Sequence, residues 1–107
     1  MTQITGAEFE SQVLSSKEPV LVDFYTDTCN PCRMMAPVLQ EMETEAKGQF
    51  KVVKINAATE MQLAAQFRVN SVPAFFVFAN GQCVGQTLGV KSKNHMKKWL
   101  EDSIRTA

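Results

Sequence analysis

The segment Val20-Leu21-Val22-Asp23-Phe24-Tyr25 is apolar at every position but Asp23, and this run restricts the fold more than any other feature of the chain. A strand with one wet face alternates apolar and polar residues, whereas a near-continuous apolar run belongs to a strand covered on both faces. Layers are therefore expected on either side of a sheet. Lys51-Val52-Val53-Lys54-Ile55-Asn56 reads as a second core strand. Between the two, Met35, Val38, Leu39, Met42 and Ala46 recur at helical spacing from about Asn30 to Lys47, with Gly48 as a stop and Pro37 expected to kink the helix. Strand, helix and strand in that order require a parallel crossover.

The second half adds antiparallel strands. Ala74 to Ala79 reads as a strand, Asn80-Gly81 is a strong hairpin signal, and Gln82 to Leu88 returns. Thr59 to Phe67 is expected to be a short helix capped by Thr59, and Ser92 is expected to cap a last helix to about Arg105, with Met96, Leu100 and Ile104 on one face. Thr5 and Glu8 have capping-box spacing ahead of Phe9, Val13 and Leu14, which predicts a first short helix ended by Pro19. The expected architecture is α/β: a central mixed β-sheet of four to five strands with helices on both faces, residues 2 to 4 supplying the optional fifth. At 107 residues with 45% hydrophobic content, the chain suits one domain, residues 1–107.

Ligands of open α/β sheets sit beyond the carboxyl ends of the parallel strands. Cys29-Asn30-Pro31-Cys32 lies there, after the first core strand and at the start of the helix. Free backbone N–H groups and the positive end of the helix dipole favour an anion at that point, so a cysteine is biased toward thiolate, its reactive form. Residues three apart are neighbours on a helix, close enough to join in a disulfide after a small adjustment. Two cysteines at this spacing also make half of a structural zinc site, which needs about four ligands. The other half would have to come from Cys83 and His95, which strand-like and turn-like sequence separates from each other and from the pair. Dithiol chemistry, with no metal and no organic cofactor, is the reading the residues favour.

Eleven basic and eleven acidic side chains balance, so no broad field draws nucleic acid or an anionic membrane surface. The N-terminus has neither a basic start nor an apolar stretch of signal-peptide length, and no later stretch resembles a membrane span. A soluble, cytoplasmic protein is expected, and three cysteines in such a chain fit redox use better than a disulfide framework. Cys83 is expected to be a small buried hydrophobe on the returning strand, His95 a surface residue, and the six methionines mostly core packing.

Over nearly its whole length the chain resembles the thioredoxin family. The resemblance is carried by Asp23 in the strand before the motif, the Cys29 and Cys32 pair with Pro31 between, Pro37 in the next helix and Lys54 in the next strand. Val72-Pro73 before the hairpin, Gly81 in its turn and Gly89 before the last helix complete the set. It implies a thioredoxin fold and a protein-disulfide reductase that acts on disulfide-containing proteins, re-reduced by a flavin- and NADPH-dependent thioredoxin reductase; a monomer is the expected state. It also implies that Pro73 takes the cis form against the cysteine pair and exposes the Val72 backbone, so that an extended substrate segment pairs with it.

In this reading Cys29 is the nucleophile and Cys32 the resolving thiol. A carboxylate inside an apolar strand is costly unless it is partnered or its pKa is raised, the alternative being an Asp turned outward at the strand end. Asp23 is accordingly read as the proton acceptor and donor for Cys32, through water, with Lys54 either tuning it or lying on a solvated face. Thr28 and Asn30 depart from the family, which usually has tryptophan and glycine there, and Tyr25 stands where another tryptophan is common. These changes bear on partner choice and reduction potential. Two other readings stay open: a disulfide oxidant or isomerase, because only the potential sets direction, and an interaction or chaperone module with a minor redox role.

Overall fold

The computed structural model describes residues 1–107. The apolar run Val20–Tyr25 forms strand β2, buried along its entire length. On one side it pairs in parallel with β3 (Lys51–Asn56), Val20 opposite Lys51 and Tyr25 opposite Asn56. On the other it pairs antiparallel with β4 (Ala74–Ala79), where Val20 opposes Phe78. A short β1 (Thr2–Gln3) lies parallel to β3, and β5 (Gln82–Leu88) lies antiparallel to β4. The five strands stand in the order β1-β3-β2-β4-β5. This is the expected mixed sheet, with the fifth strand present.

Alternation along β2 sends Leu21 to one face and Val20 and Val22 to the other, so the sheet has two apolar layers to cover. Helices α1 (Asn30–Ala46) and α3 (Lys93–Arg105) cover the first with Met35, Leu39, Met42, Met96 and Leu100. The second is covered by Phe9 and Val13 and by Leu63 and Ala64 of α2 (Met61–Gln66). Phe67, just past α2, packs against Phe9, Phe24, Phe76 and Phe78 at ring separations of 5.4 to 6.3 Å. Glu43 of α1 ties the β1 edge down: its carboxylate accepts from the N-terminal ammonium at 2.6 Å and from the Val52 N–H at 2.7 Å.

The turn residues behave as their chemistry requires. Asn80 and Gly81 both adopt positive φ, 53° and 79°, the conformation of a two-residue type I′ hairpin. Ser92 caps α3, its hydroxyl accepting the His95 N–H at 3.1 Å. α1 ends at Lys47 in the left-handed region, one residue before Gly48. In β5 the register shifts, Phe78 facing Cys83 while Val77 faces Gly85, so β5 carries one extra residue there. Gly85 has no room for a side chain: a Cβ would stand 2.8 Å from Ser103 Cβ and closer still to Ser103 Oγ on α3.

Four local expectations differ from the structure. The first segment is a 3₁₀ turn at Gly6–Glu8 followed by a π turn at Glu10–Leu14, not one α-helix. Segments this short take their winding from what they pack against, and here Glu60 accepts the Gly6 N–H at 2.6 Å. α2 begins at Met61 without a Thr59 cap, because the Asn56 side chain accepts the Ala58 N–H at 2.9 Å and the Thr59 hydroxyl donates to the Asn56 carbonyl. Cys83 is exposed, not buried: no β5 residue joins the apolar layer on the face of Phe78. Met34 and Met61 are 61% and 70% exposed, leaving Met35, Met42 and Met96 as the core methionines.

Candidate active site

The parallel strands β2 and β3 end beside the start of α1, and the cysteine pair stands at that start. Cys29 is the residue before the first helical turn, in extended conformation, and its Sγ accepts the Cys32 N–H at 3.1 Å. Pro31 fits the first turn because its missing N–H is one that the helix leaves unpaired there. The two cysteines are joined by a disulfide, their Cα atoms 5.2 Å apart. Cys29 is half-buried, whereas Cys32 is buried. An N–H aimed at Cys29 Sγ and the free N–H groups of the helix end favour negative charge on that sulfur.

A second loop meets the pair. The Val72–Pro73 peptide is cis, as the resemblance implied. The Val72 carbonyl oxygen lies 3.8 Å from Cys29 Sγ. The Gly89 N–H donates to the Pro73 carbonyl at 2.9 Å, and Gly89 has φ of 82°, a conformation that glycine adopts without strain. Val72, Pro73 and Gly89 thus stand together beside Cys29, although they come from separate parts of the chain. Thr28, Asn30 and Pro31 are exposed around the pair.

Asp23 lies behind it. The side chain is buried, 2% exposed, and its Oδ1 has no hydrogen-bond partner. Asp23, Tyr25, Lys54 and Cys32 line one cavity of about 160 Å³, with Thr26, Asp27, Arg33 and the small Ala36 completing the wall. A polar cavity of this size is roomy enough for water. Burial pushes the Asp23 carboxyl up from 3.8 to about 7, and the charge of Lys54 opposes that rise without cancelling it. Lys54 faces Asp23 across the β2–β3 ladder. Its ammonium stands over the Tyr25 ring, 4.3 Å from the centroid, a cation–π contact that leaves it half-buried instead of on a solvated face.

Sequence reasoning did not reach the polar contacts around this cavity. The Arg33 guanidinium donates to the Asp27 carbonyl at 2.6 Å and to Asn30 Oδ1 at 3.3 Å, and the Asn56 amide donates to Asp27 Oδ2 at 3.3 Å. The signal was present in part: Asp23, Tyr25, Lys54 and Asn56 alternate along two paired strands and so share one face. Which of them touch depends on side-chain directions that periodicity does not carry.

The chain matches the family model described as Thioredoxin over residues 1–102. It is 40% identical over 102 residues to thioredoxin 1 of Nostoc sp., covering 95% of each chain. To the thioredoxin of Rickettsia felis it is 35% identical over 101 residues, covering 94% of this chain and 96% of the relative. The bifunctional thioredoxin reductase/thioredoxin of Mycobacterium leprae is 40% identical over 102 residues, 95% of this chain and 22% of that longer protein. With a disulfide-forming pair at the head of α1 and matches of this extent, the chain belongs to the thioredoxin family and is a dithiol–disulfide oxidoreductase.

Proposed function

We propose that the chain acts as one thioredoxin domain, residues 1–107, that reduces disulfides in partner proteins, with Cys29 as nucleophile and Cys32 as resolving thiol. The observation that supports this most is the arrangement of the pair: the outer sulfur accepts a helix N–H, and the inner one borders the cavity of a buried Asp23 with its carboxyl near 7. The Cys29 thiolate attacks one sulfur of the substrate disulfide, forming a mixed disulfide and releasing the other sulfur as thiolate. Asp23 takes the proton of Cys32 through water, and the Cys32 thiolate attacks Cys29 Sγ. The Cys29–Cys32 bond forms, the second substrate sulfur leaves, and the proton held by Asp23 passes out to it. Two substrate thiols are gained for the two that the protein loses.

Lys54 tunes this proton exchange by charge from its seat over Tyr25. Val72 and Pro73 present a main chain against which an extended substrate segment lies, and Thr28, Asn30, Pro31 and Gly89 border that surface. Electrons return to the pair from a thioredoxin reductase, a reading supported by the Mycobacterium leprae relative, whose name joins the two activities. The protein works as a monomer in the cytoplasm, without bound metal or cofactor. No helix is long and apolar enough to cross a membrane.

With dithiothreitol as electron source, the purified protein is expected to precipitate reduced insulin B chain from insulin, and Cys83→Ser is expected to leave the rate unchanged. Cys29→Ser is expected to abolish the acceleration. Normal turnover by Cys29→Ser would remove the mechanism and favour a module whose cysteines matter little.

A further inference from the structure

Arg33 lies one helical turn after Cys29, and its backbone N–H donates to the Cys29 carbonyl at 3.2 Å. Helical side chains lean toward the N-terminus of their helix, which carries the guanidinium back toward the end where the disulfide stands. There it donates to the Asp27 carbonyl at 2.6 Å and to Asn30 Oδ1 at 3.3 Å, spanning the short loop that carries Cys29. The planar fork of arginine suits two acceptors held apart in this way. The Asn30 contact needs a side chain at that position.

The charge on this clasp is not neutralised by a carboxylate. Arg33 takes part in none of the molecule's salt bridges, and Asp27 offers it the backbone carbonyl while its carboxylate accepts from Asn56 at 3.3 Å. The other charged groups that line the cavity with Arg33 are Asp27, Asp23 and Lys54. We propose that Arg33, steered by Asn30 and the Asp27 carbonyl, is a positioning residue that holds a positive charge at the head of α1 and so favours the dithiol form of the Cys29–Cys32 pair. The proposal rests on Cys29 carrying the thiolate. A fixed cation beside a thiolate stabilises it, and stabilising the reduced state draws the equilibrium away from the disulfide.

The test is the equilibrium of the full chain with a glutathione redox buffer at pH 7, in a Cys83→Ser background so that only the pair exchanges. Arg33→Gln is expected to shift the equilibrium about threefold toward the disulfide at low salt, a size set by the exposure of the charge. Most of that shift should vanish at about 1 M salt, where the screening length is short. Arg33→Lys should retain most of the parent value, since it keeps the charge. Asn30→Ala should give part of the shift in the parent and none in the Arg33→Gln background. An unchanged constant for Arg33→Gln at low salt overturns the proposal. So does a shift that survives high salt and is not restored by lysine, because that pattern marks a structural role. If the parent pair does not exchange with glutathione at all, the dithiol reading itself fails and the proposal with it.

Discussion

Asp23 is the residue whose placement is hardest to justify by stability and easiest to justify by chemistry. Its carboxyl is raised by burial from 3.8 to about 7, so between these values the folded protein holds a proton that the unfolded chain has released. Stability associated with Asp23 is therefore fully present below about pH 4, falls as pH rises toward 7, and stays at its reduced level above that. The difference amounts to about 4 kcal/mol. Asp23→Asn is expected to be more stable than the parent by that order at pH 8 and similar to it near pH 4, measured by denaturant unfolding of the oxidised protein. A gap independent of pH would mean that Asp23 ionises normally in the fold. At this scale the sequence was legible wherever a residue broke a pattern: an acid in an apolar run and two thiols three apart are visible without coordinates. The Lys54 contact with Tyr25 and the clasp of Arg33 were not, since both depend on which of several nearby partners a long side chain selects.

Elements were legible when their signal was local and strong. The hairpin followed from Asn80-Gly81, whose positive φ values other residues adopt only with strain. β2 followed from its apolar run, and α3 from its cap and period. In the first segment the capping spacing was right, Glu8 accepting the Thr5 N–H at 2.9 Å, but spacing does not state the winding that follows; at α2 the Asn56 side chain, and not Thr59, accepts the first free N–H, that of Ala58. Cys83 was misplaced for a related reason: strand membership was clear, but a strand's exposure depends on whether a helix reaches over it, and the layer on that face ends at β4. Gly85 shows the opposite case, an element contact too close for any side chain. Gly85→Ala is expected to lower stability by about 1–3 kcal/mol as α3 is pushed from β5. Thermal unfolding of the variant, alone and combined with Ser103→Gly, should show partial recovery in the pair. No recovery would place the strain elsewhere.

Over the whole molecule, the parallel crossover determines where chemistry can occur. Two apolar layers hold the sheet from both faces, and the carboxyl ends of β2 and β3 are left to meet the start of α1, the cis Val72–Pro73 peptide and Gly89. The disulfide closes only the short loop from Cys29 to Cys32 and joins no distant parts of the chain. Its opening is therefore expected to leave the topology intact and to lower stability by only about 2 kcal/mol, the order for so short a loop. Amide hydrogen exchange should find β2, β3 and β4 the most protected strands in both redox forms, with protection in the reduced form lower by no more than about thirtyfold, the factor that this loss corresponds to. A much larger loss, or one confined to these strands, would show that the bond is structural. The central claim, that Cys29 carries the exchange, is tested most directly by trapping the mixed disulfide. Cys32→Ser, incubated with a disulfide-linked peptide and digested without reduction, is expected to yield the peptide bound to Cys29 by mass spectrometry; attachment at the exposed Cys83, with Cys29 unmodified, would contradict the account.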